Sequence, residues 1–325
     1  MSFVPARCPF PTCPSRCRVP FTWHHKGRFR RRCDGRLVPR FYCRACRRRF
    51  SSQSFRLDYR LRRPTLHLEL FFGFVSKLTL RQAARIHRCS KNTVAHRLRL
   101  LGEHSRAFHH AQLEGARLAG RFLLDELETF EHNRRLRPLT VPVLVERQSF
   151  FVVSTAVAPL PARGGLSQRH RLRKLALEQC EGKRRSGSRG AVKRCLETLR
   201  GCSAGPLILE SDRKPSYAGL VRQCLGRGAR HLRHSSRAPR TVENPLFAIN
   251  LTLAMLRDGA SRLVRRSWAA SKKAAWLERH LWIWIVWRNY VRNRTNKTPG
   301  VTAAMALGVQ RQQLQPAQIF ALRIE

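Results

Sequence analysis

Three acidic residues stand out in a strongly basic chain of 325 residues. Asp125 and Asp212 each belong to a short apolar segment typical of a β-strand, and Glu243 precedes an apolar helical pattern. The chain carries 65 Lys and Arg against 19 Asp and Glu, a net charge of +46. A carboxylate on an apolar strand face has to be paired or to bind a cation. Together these acids suggest a divalent cation that serves phosphate chemistry.

Each acid also has an ordinary structural interpretation. Asp125 could form a salt bridge with one of the many arginines, and Asp212 could cap a turn. Glu243 could simply begin a helix, where its charge suits the helix dipole. These interpretations stay open at the level of the sequence.

Cysteines near the N-terminus form a second set with metal chemistry. Cys43 and Cys46 are separated by two residues, the spacing with which one knuckle presents two thiolates to a tetrahedral zinc ion. Cys8 and Cys13 can supply the other pair, although Cys13 with Cys17 is a competing choice. The basic, aromatic stretch 21–41 suits the hairpins of a zinc ribbon, in which zinc replaces a core that is too small. The other two cysteines of this region, Cys17 and Cys33, are interpreted as not binding the metal, although either could take the place of one of the four ligands.

Composition narrows the class of partner. A pI near 11.8, with basic residues along the whole chain and an ordinary 42% of apolar residues, indicates folded domains that bind a polyanion. Nucleic acid fits better than an acidic membrane surface, because no amphipathic anchor stands out. With no signal peptide apparent and its most apolar window, 281–287, too short to span a bilayer, the chain is expected in the cytoplasm. Thiols stay reduced there, which favours metal binding for its 11 cysteines.

Residues 78–101 have the pattern of two short helices joined by a turn. Thr79 can cap the first helix, and Ser90 can cap a second whose apolar side carries Val94 and Leu98. This spacing predicts a helix-turn-helix, although the turn lacks the glycine often found there and an ordinary helical hairpin is the alternative. The second helix would offer five residues to a DNA major groove: Lys91, Asn92, His96, Arg97 and Arg99.

The middle of the chain alternates between strands and helices. Strands are predicted at 121–130, 139–146, 149–156, 206–211 and 229–234, the second and third joined by a tight two-residue connection. This α/β order, with three strands before the first helix, predicts a mixed sheet flanked by helices. A Gly-, Ser- and Arg-rich passage at about 159–190 predicts a basic insertion.

The C-terminal third is helical. Apolar spacing predicts one helix over 244–257. The tryptophan-rich segment 272–291 predicts a buried helix packed on the sheet, and a helix that stacks nucleic-acid bases is the alternative.

This ordered set of motifs resembles the DDE transposases of bacterial insertion sequences, over roughly 8–293. The resemblance is carried by the four cysteines, Thr79–Ala84, Ser90–Val94, Leu124–Leu127, Glu210–Asp212, Glu243–Asn244 and the segment 261–290. It implies a zinc ribbon (1–60), a helix-turn-helix domain (61–115), an RNase H-like catalytic core (116–300) and a tail (301–325).

The resemblance also implies an activity. In that family the first acid lies on the first strand of the core, the second just after the fourth strand and the third on a helix. These roles fall on Asp125, Asp212 and Glu243 as ligands of Mg²⁺ or Mn²⁺, with Asn244 and Asn250 as rivals for the third. The implied function is cleavage and transfer of double-stranded DNA by a homo-oligomer that also holds structural Zn²⁺. A non-catalytic DNA-binding relative is the alternative, and a basic RNA-binding protein is a weaker one.

Overall fold

A computed structural model describes residues 3–16, 21–235, 237, 239, 241–264 and 272–321. The chain forms two compact units, one comprising Met1–Glu69 with Pro316–Glu325 and the other Leu70–Gln315. The finer domain boundaries inferred from the sequence stay predictions. Among the described residues, no helix combines the length and the apolarity that a membrane crossing requires.

The strands follow one another in the order β1 (Trp23–Arg30), β2 (Leu37–Cys43), β3 (Arg49–Ser51), β4 (Leu118–Phe130), β5 (Pro138–Glu146), β6 (Val152–Thr155), β7 (Ala158–Pro159), β8 (Ser203–Asp212) and β9 (Ala229–His234). The α-helices are α1 (Leu66–Val75), α2 (Leu80–Ile86), α3 (Lys91–Leu113), α4 (Gln168–Glu181), α5 (Ser188–Cys202), α6 (Pro215–Leu225), α7 (Phe247–Gly259), α8 (Ala274–Val286), α9 (Ala303–Ala306) and α10 (Pro316–Ile319).

The first unit contains an antiparallel three-stranded sheet in the order β1-β2-β3. Its small core is aromatic, since Phe41 and Phe50 are buried and stack with ring centroids 5.5 Å apart. Trp23 meets Phe41 edge-on at 5.0 Å. The predicted β-hairpin between the two cysteine pairs is therefore present.

The second unit is built on a six-stranded mixed sheet with the order β6-β5-β4-β8-β9, to which β7 adds by pairing with β5. Strands β4, β5 and β6 are antiparallel neighbours, whereas β8 runs parallel to β4 and β9 parallel to β8. Every residue of β5 is buried, as expected for a central strand that is covered on both faces. The predicted mixed sheet is confirmed.

The connection between β5 and β6 differs from the predicted two-residue turn. It spans 147–151, because the carboxylate of Glu146 organises a longer loop. That carboxylate accepts the backbone N–H groups of Gln148 at 3.1 Å and Ser149 at 2.7 Å. Phe150 adopts φ +60°, which is uncommon for a residue with a bulky side chain.

The predicted basic insertion contains a helix that the sequence did not reveal. Helix α4 is capped by Ser167, whose hydroxyl accepts the N–H of His170, and none of its residues is buried. Leu172 and Leu175 are 63% and 56% exposed. A helix without a buried face carries no apolar periodicity, which is why the composition alone suggested an insertion. Residues 182–187 then lack regular secondary structure.

The tryptophan-rich segment forms the buried helix α8, followed by a π-helical turn at Trp287–Val291. Trp282 and Trp284 are buried, which favours the predicted buried helix over a base-stacking one. Helix α8 packs extensively along α3, whereas packing on the sheet was predicted. The reason is the length of α3, whose buried side continues to Leu113 and so offers a long apolar surface.

The π-helical turn is hydrogen-bonded to the edge of the sheet. The side-chain amide of Asn289 accepts the N–H of Val152 at 3.0 Å and donates to its carbonyl at 2.9 Å, and so completes β6. His109 of α3 donates to the Val153 carbonyl at 2.9 Å and accepts the Tyr290 hydroxyl at 3.1 Å. Burial lowers the pKa of His109 to about 4, in keeping with this neutral role.

Candidate functional site

Asp125 and Asp212 lie on neighbouring parallel strands. Leu124 of β4 is the register partner of Ser211 of β8, and the two aspartates are the next residues along their strands. Neighbouring strands are about 4.8 Å apart, and residues in register point to the same face of a sheet. The sheet therefore sets the two carboxylates side by side, each half-buried.

A backbone N–H orients each of these carboxylates. An oxygen of Asp125 accepts the N–H of Glu126 at 2.7 Å, and an oxygen of Asp212 accepts the N–H of Lys214 at 3.1 Å. The second contact is the turn cap considered at the level of the sequence. The cap and a metal-binding role are compatible, because a carboxylate has two oxygens and about four acceptor positions.

Glu126 faces the opposite side of the sheet, where it forms a polar hub. Its side chain is 7% exposed and accepts the ammonium of Lys214 at 2.5 Å, with the hydroxyl of Tyr217 at 3.0 Å. The hydroxyls of Ser188 and Thr140 donate to the same carboxylate, at 2.8 Å and 2.5 Å. The hub joins β4 and β5 to the starts of α5 and α6, directly behind Asp125.

The pKa of Tyr217 is raised by burial and by three carboxylates at this end of the sheet. Burial, and then the charges of Glu126, Asp125 and Asp212, raise the pKa of Tyr217 far above its usual value. Tyr217 is consequently a neutral hydrogen-bond donor. The three carboxylates are thus close enough for their charges to act on one hydroxyl.

Glu210 is a further acid that sequence reasoning left without a role. Because it precedes Asp212 by two residues in β8, it lies on the same face of the sheet, and it is 1% exposed. Its carboxylate accepts Arg147 at 2.6 Å and His234 at 2.8 Å, and it lies 3.6 Å from Arg121. The alternation of side chains along β8 could have shown that Glu210 lies on the same face as Asp212. Its ion-pair partners could not be found in this way, because they belong to other segments of the chain.

The three candidates for the third ligand precede α7 or belong to its first turn. Glu243 is exposed in the turn before α7, and a hydrogen bond from Thr241 lowers its pKa. Asn244 is 9% exposed, and its amide donates to the Pro239 carbonyl at 2.6 Å while its oxygen accepts the N–H of Leu246. Asn250 is half-buried in α7. The helix packs against β4 and β5.

In the described part of the chain, the four predicted cysteines are the one group of three or more His, Cys, Asp or Glu residues positioned to hold a metal ion together. Asp125 and Asp212 are neighbours, but Glu243 does not complete such a group with them. The assignment of the third ligand therefore stays a prediction.

The four cysteine sulfurs lie within 4.8 Å of one another. The Sγ atoms of Cys8 and Cys46 are 3.7 Å apart, and those of Cys13 and Cys43 are 3.6 Å apart, too far for disulfides. With Zn–S bonds of about 2.3 Å, the edge of a tetrahedron is about 3.8 Å. The donor set and its spacing therefore fit zinc. Cys33 is exposed, and Cys17 lies outside the described residues.

The two predicted caps of the helix-turn-helix segment are confirmed. Thr79 accepts the N–H of Gln82, whose side chain returns the bond, and Ser90 accepts the N–H of Thr93 at 3.1 Å. The turn between them contains Arg88 with φ +46°, in the left-handed region where glycine is favoured. The backbone thus makes the turn without the glycine that the sequence lacked.

The five candidate DNA contacts on α3 do not share one environment. Lys91, Asn92 and His96 are exposed. Arg99 is half-buried and pairs with Glu103 at 3.2 Å. Arg97 is buried, at 4% exposure, as are Val94 and Leu98 of the same helix. Burial disfavours Arg97 as a DNA contact, and the assignment of all five residues to DNA stays a prediction.

Comparisons with known proteins give weak structural similarity. No family model and no curated protein matches the chain. A chain in the cryo-EM structure of the simian T-cell lymphotropic virus intasome in complex with PP2A regulatory subunit B56 gamma is 13% identical, with a TM-score of 0.32; the match covers 77% of this chain and 74% of that one. The catalytic domain of the Mos1 mariner transposase is 15% identical, with a TM-score of 0.23 and coverage of 57% and 88%.

A second structure of the Mos1 catalytic domain, with raltegravir and Mg, is 13% identical, with a TM-score of 0.24 and coverage of 58% and 92%. Similarity of this extent assigns no activity. The chain is similar at low identity to a chain of an intasome structure and to transposase catalytic domains.

Proposed function

We propose that the chain is a transposase, an enzyme that cuts DNA and joins the strands with the help of a divalent cation held by Asp125 and Asp212. The observation that carries this proposal is the parallel register of β4 and β8, which sets the two carboxylates side by side. Among the five strands of the main sheet path, β4 is the first and β8 the fourth in chain order. These are the positions of the first two acids in the family that the sequence resembles.

The residues of this site suit magnesium or manganese. Both cations prefer carboxylate oxygens, and the backbone bonds of Asp125 and Asp212 hold their side chains in defined orientations. A bound cation would activate the attacking water or 3′-hydroxyl and stabilise the leaving oxygen. We assign the third ligand to Glu243, with Asn244 and Asn250 as alternatives.

The partner in this proposal is double-stranded DNA. The net charge of +46 supplies the attraction to phosphate. We assign contacts in the major groove to Lys91, Asn92, His96 and Arg99 at the start of α3. The zinc-binding unit provides a further DNA-binding surface, and a homo-oligomer brings two element ends together.

The test is cleavage of labelled element-end DNA in Mg²⁺ or Mn²⁺. We expect Asp125→Asn and Asp212→Asn to bind DNA like the wild type and to lose cleavage and joining, since each change keeps the shape and removes a ligand charge. Glu128→Gln is the matched control, because Glu128 belongs to the same strand but is 54% exposed and pairs with Arg163. Cleavage by all three variants would overturn the proposal.

A second function is a DNA-binding protein without catalytic activity. The exposed position of Glu243, apart from the two aspartates, favours it. Wild-type protein that binds element ends but never cuts them would select this function. In that case both aspartate variants would bind DNA like the wild type.

A further inference from the structure

The second unit contains an open cavity of about 790 Å³ between α7 and the turn that follows α8. One part of its wall is apolar or aromatic, and another part is cationic. The apolar side includes Phe150, Phe247, Leu251, Met255, Trp284 and Trp287. The cationic side consists of Arg288, Arg292, Arg294 and Lys297.

Several hydrogen-bond donors of the side chains that line the cavity have no acceptor among the described residues. Arg288 is 1% exposed, and its Nε and Nη1 atoms are buried without a partner. The same holds for Nε of Arg294 and for the indole Nε1 of Trp284. Arginine and tryptophan side chains donate but cannot accept hydrogen bonds. A ligand that reaches these donors would therefore satisfy them best if it is rich in acceptors.

The electrostatics indicate that the ligand is an anion. Burial, and then repulsion by Arg292 and Arg294, lower the pKa of Arg288 to about 10. Among the described residues of the cavity wall, Asp258 is the one acid, and it is already paired with Lys77. A buried guanidinium without a counter-charge is costly, and an anion in the cavity would remove that cost.

The aromatic rings indicate that the anion carries a planar group. The guanidinium of Arg292 lies 5.5 Å from the ring centre of half-buried Trp287, and that of Arg288 lies 5.8 Å from the ring centre of Phe150. Trp284 and Trp287 are 6.1 Å apart and tilted by 56°. Arginines next to an aromatic face match a phosphate that carries a nucleobase.

We propose that this cavity binds one unpaired nucleotide of a DNA strand, with its phosphate against Arg288, Arg292 and Arg294 and its base against Trp287. This inference rests on the proposed function for the identity of the polymer. The same wall chemistry would accept a free mononucleotide, so the test separates the two sources. The cavity shares no residue with the candidate cation site on β4 and β8. A variant of the cavity can therefore lose nucleotide binding while DNA cleavage is unchanged, and the two proposals can fail separately.

The experiment measures binding of the full chain to fluorescent duplexes that are blunt or carry one unpaired nucleotide, at fixed salt and without divalent cation. We expect about tenfold tighter binding of the duplex with the unpaired nucleotide, the size of one base–aromatic stack. Trp287→Leu should abolish this preference and leave binding of the blunt duplex unchanged. Equal affinity of the wild type for both duplexes would overturn the proposal.

Competition identifies the source of the ligand. A free mononucleotide should compete only weakly for the unpaired end, and inorganic phosphate more weakly still. If the free mononucleotide competes as well as the unpaired end, the site takes free nucleotides and assignment to a DNA strand is wrong. If inorganic phosphate competes as well as the unpaired end, the cavity is a simple anion site and the proposal that a base stacks on Trp287 is wrong.

Arg288→Met tests the arginine directly. It removes a buried charge but keeps an apolar side chain, so we expect a melting temperature equal to or above that of the wild type, together with loss of the preference for the unpaired end. The control is Arg279→Met, because Arg279 belongs to the preceding helix α8, pairs with Glu103 and lies over Trp276. A variant Arg288→Met that keeps the full preference would contradict the proposal.

Discussion

Replacement of Glu126 by glutamine should destabilise the second unit through loss of one buried charge. The carboxylate accepts bonds from Lys214, Tyr217, Ser188 and Thr140, and its side chain is 7% exposed. Hydrogen bonds to charged groups contribute about 1.5–3 kcal/mol each, and loss of one partner of a buried ion pair costs about 3–5 kcal/mol. Water reaches Lys214, which is 37% exposed, and lowers this cost. We expect a decrease of about 2–4 kcal/mol in the free energy of unfolding.

This loss should depend on pH. Burial alone would raise the pKa of the Glu126 carboxyl, but the hydrogen bond from Lys214, with those from Thr140 and Ser188, holds it below its usual 4.5. A carboxyl whose pKa is lower in the folded state stabilises fully above its unfolded pKa, and this contribution disappears as pH falls through the folded value. The difference between wild type and Glu126→Gln should therefore be complete at pH 7 and shrink below pH 4.5.

Urea unfolding, followed by tryptophan fluorescence to which Trp282 and Trp284 of the same unit contribute, measures this difference. Glu128→Gln is the control on the same strand, since its exposed pair with Arg163 contributes at most about 1 kcal/mol. Equal destabilisation by the two glutamine variants, or a difference that does not change with pH, would refute the role of Glu126 as a buried ionic hub.

Two further predictions concern other parts of the chain. Cys43→Ser, or a zinc chelator, should unfold the first unit, as measured by circular dichroism and limited proteolysis, because Cys43 is one of the four clustered cysteines. Cys33→Ser is the control and should leave the unit folded, because Cys33 is exposed and lies outside that cluster. A first unit that stays folded without zinc would contradict this prediction. Gly102→Ala should lower the free energy of unfolding by about 1–2 kcal/mol, because the added Cβ would lie 2.5–2.8 Å from Cβ, O and Cα of Arg279. Gly190→Ala in α5 should instead be neutral or stabilising, because the added Cβ would make only an ordinary contact, 3.9 Å from Nη1 of Arg194. Equal effects of the two changes in urea unfolding would show that α3 and α8 do not depend on the close approach at Gly102.

The sequence predicted those features that local chemistry determines. The caps at Thr79 and Ser90 depend on a hydroxyl three residues before a free N–H, and the spacing alone shows that. The cysteine pairs and the strands that end at Asp212 and His234 have equally local signals. The pairing of Asp125 with Asp212 also followed from the sequence, but only through the family resemblance.

Features that depend on distant segments were not predictable in this way. The extent of α3 and its packing along α8 depend on the close approach at Gly102. Arg97 was placed on the DNA-facing side because the helix pattern alone does not show which residues the rest of the protein covers. Lys214 lies 88 residues from Glu126 in the chain and Arg147 lies 63 residues from Glu210, so the sequence around each acid carried no signal for these ion pairs.

Binding of Mn²⁺ to the zinc-loaded full chain, followed by electron paramagnetic resonance, tests most directly whether Asp125 and Asp212 form one cation site. The account predicts a bound Mn²⁺ signal in the wild type and in Glu128→Gln, and at least about tenfold weaker binding in Asp125→Asn and in Asp212→Asn, since either change removes a ligand charge. If Asp125→Asn and Asp212→Asn bind Mn²⁺ as tightly as the wild type, the two aspartates do not hold the cation and the proposed catalytic site is wrong.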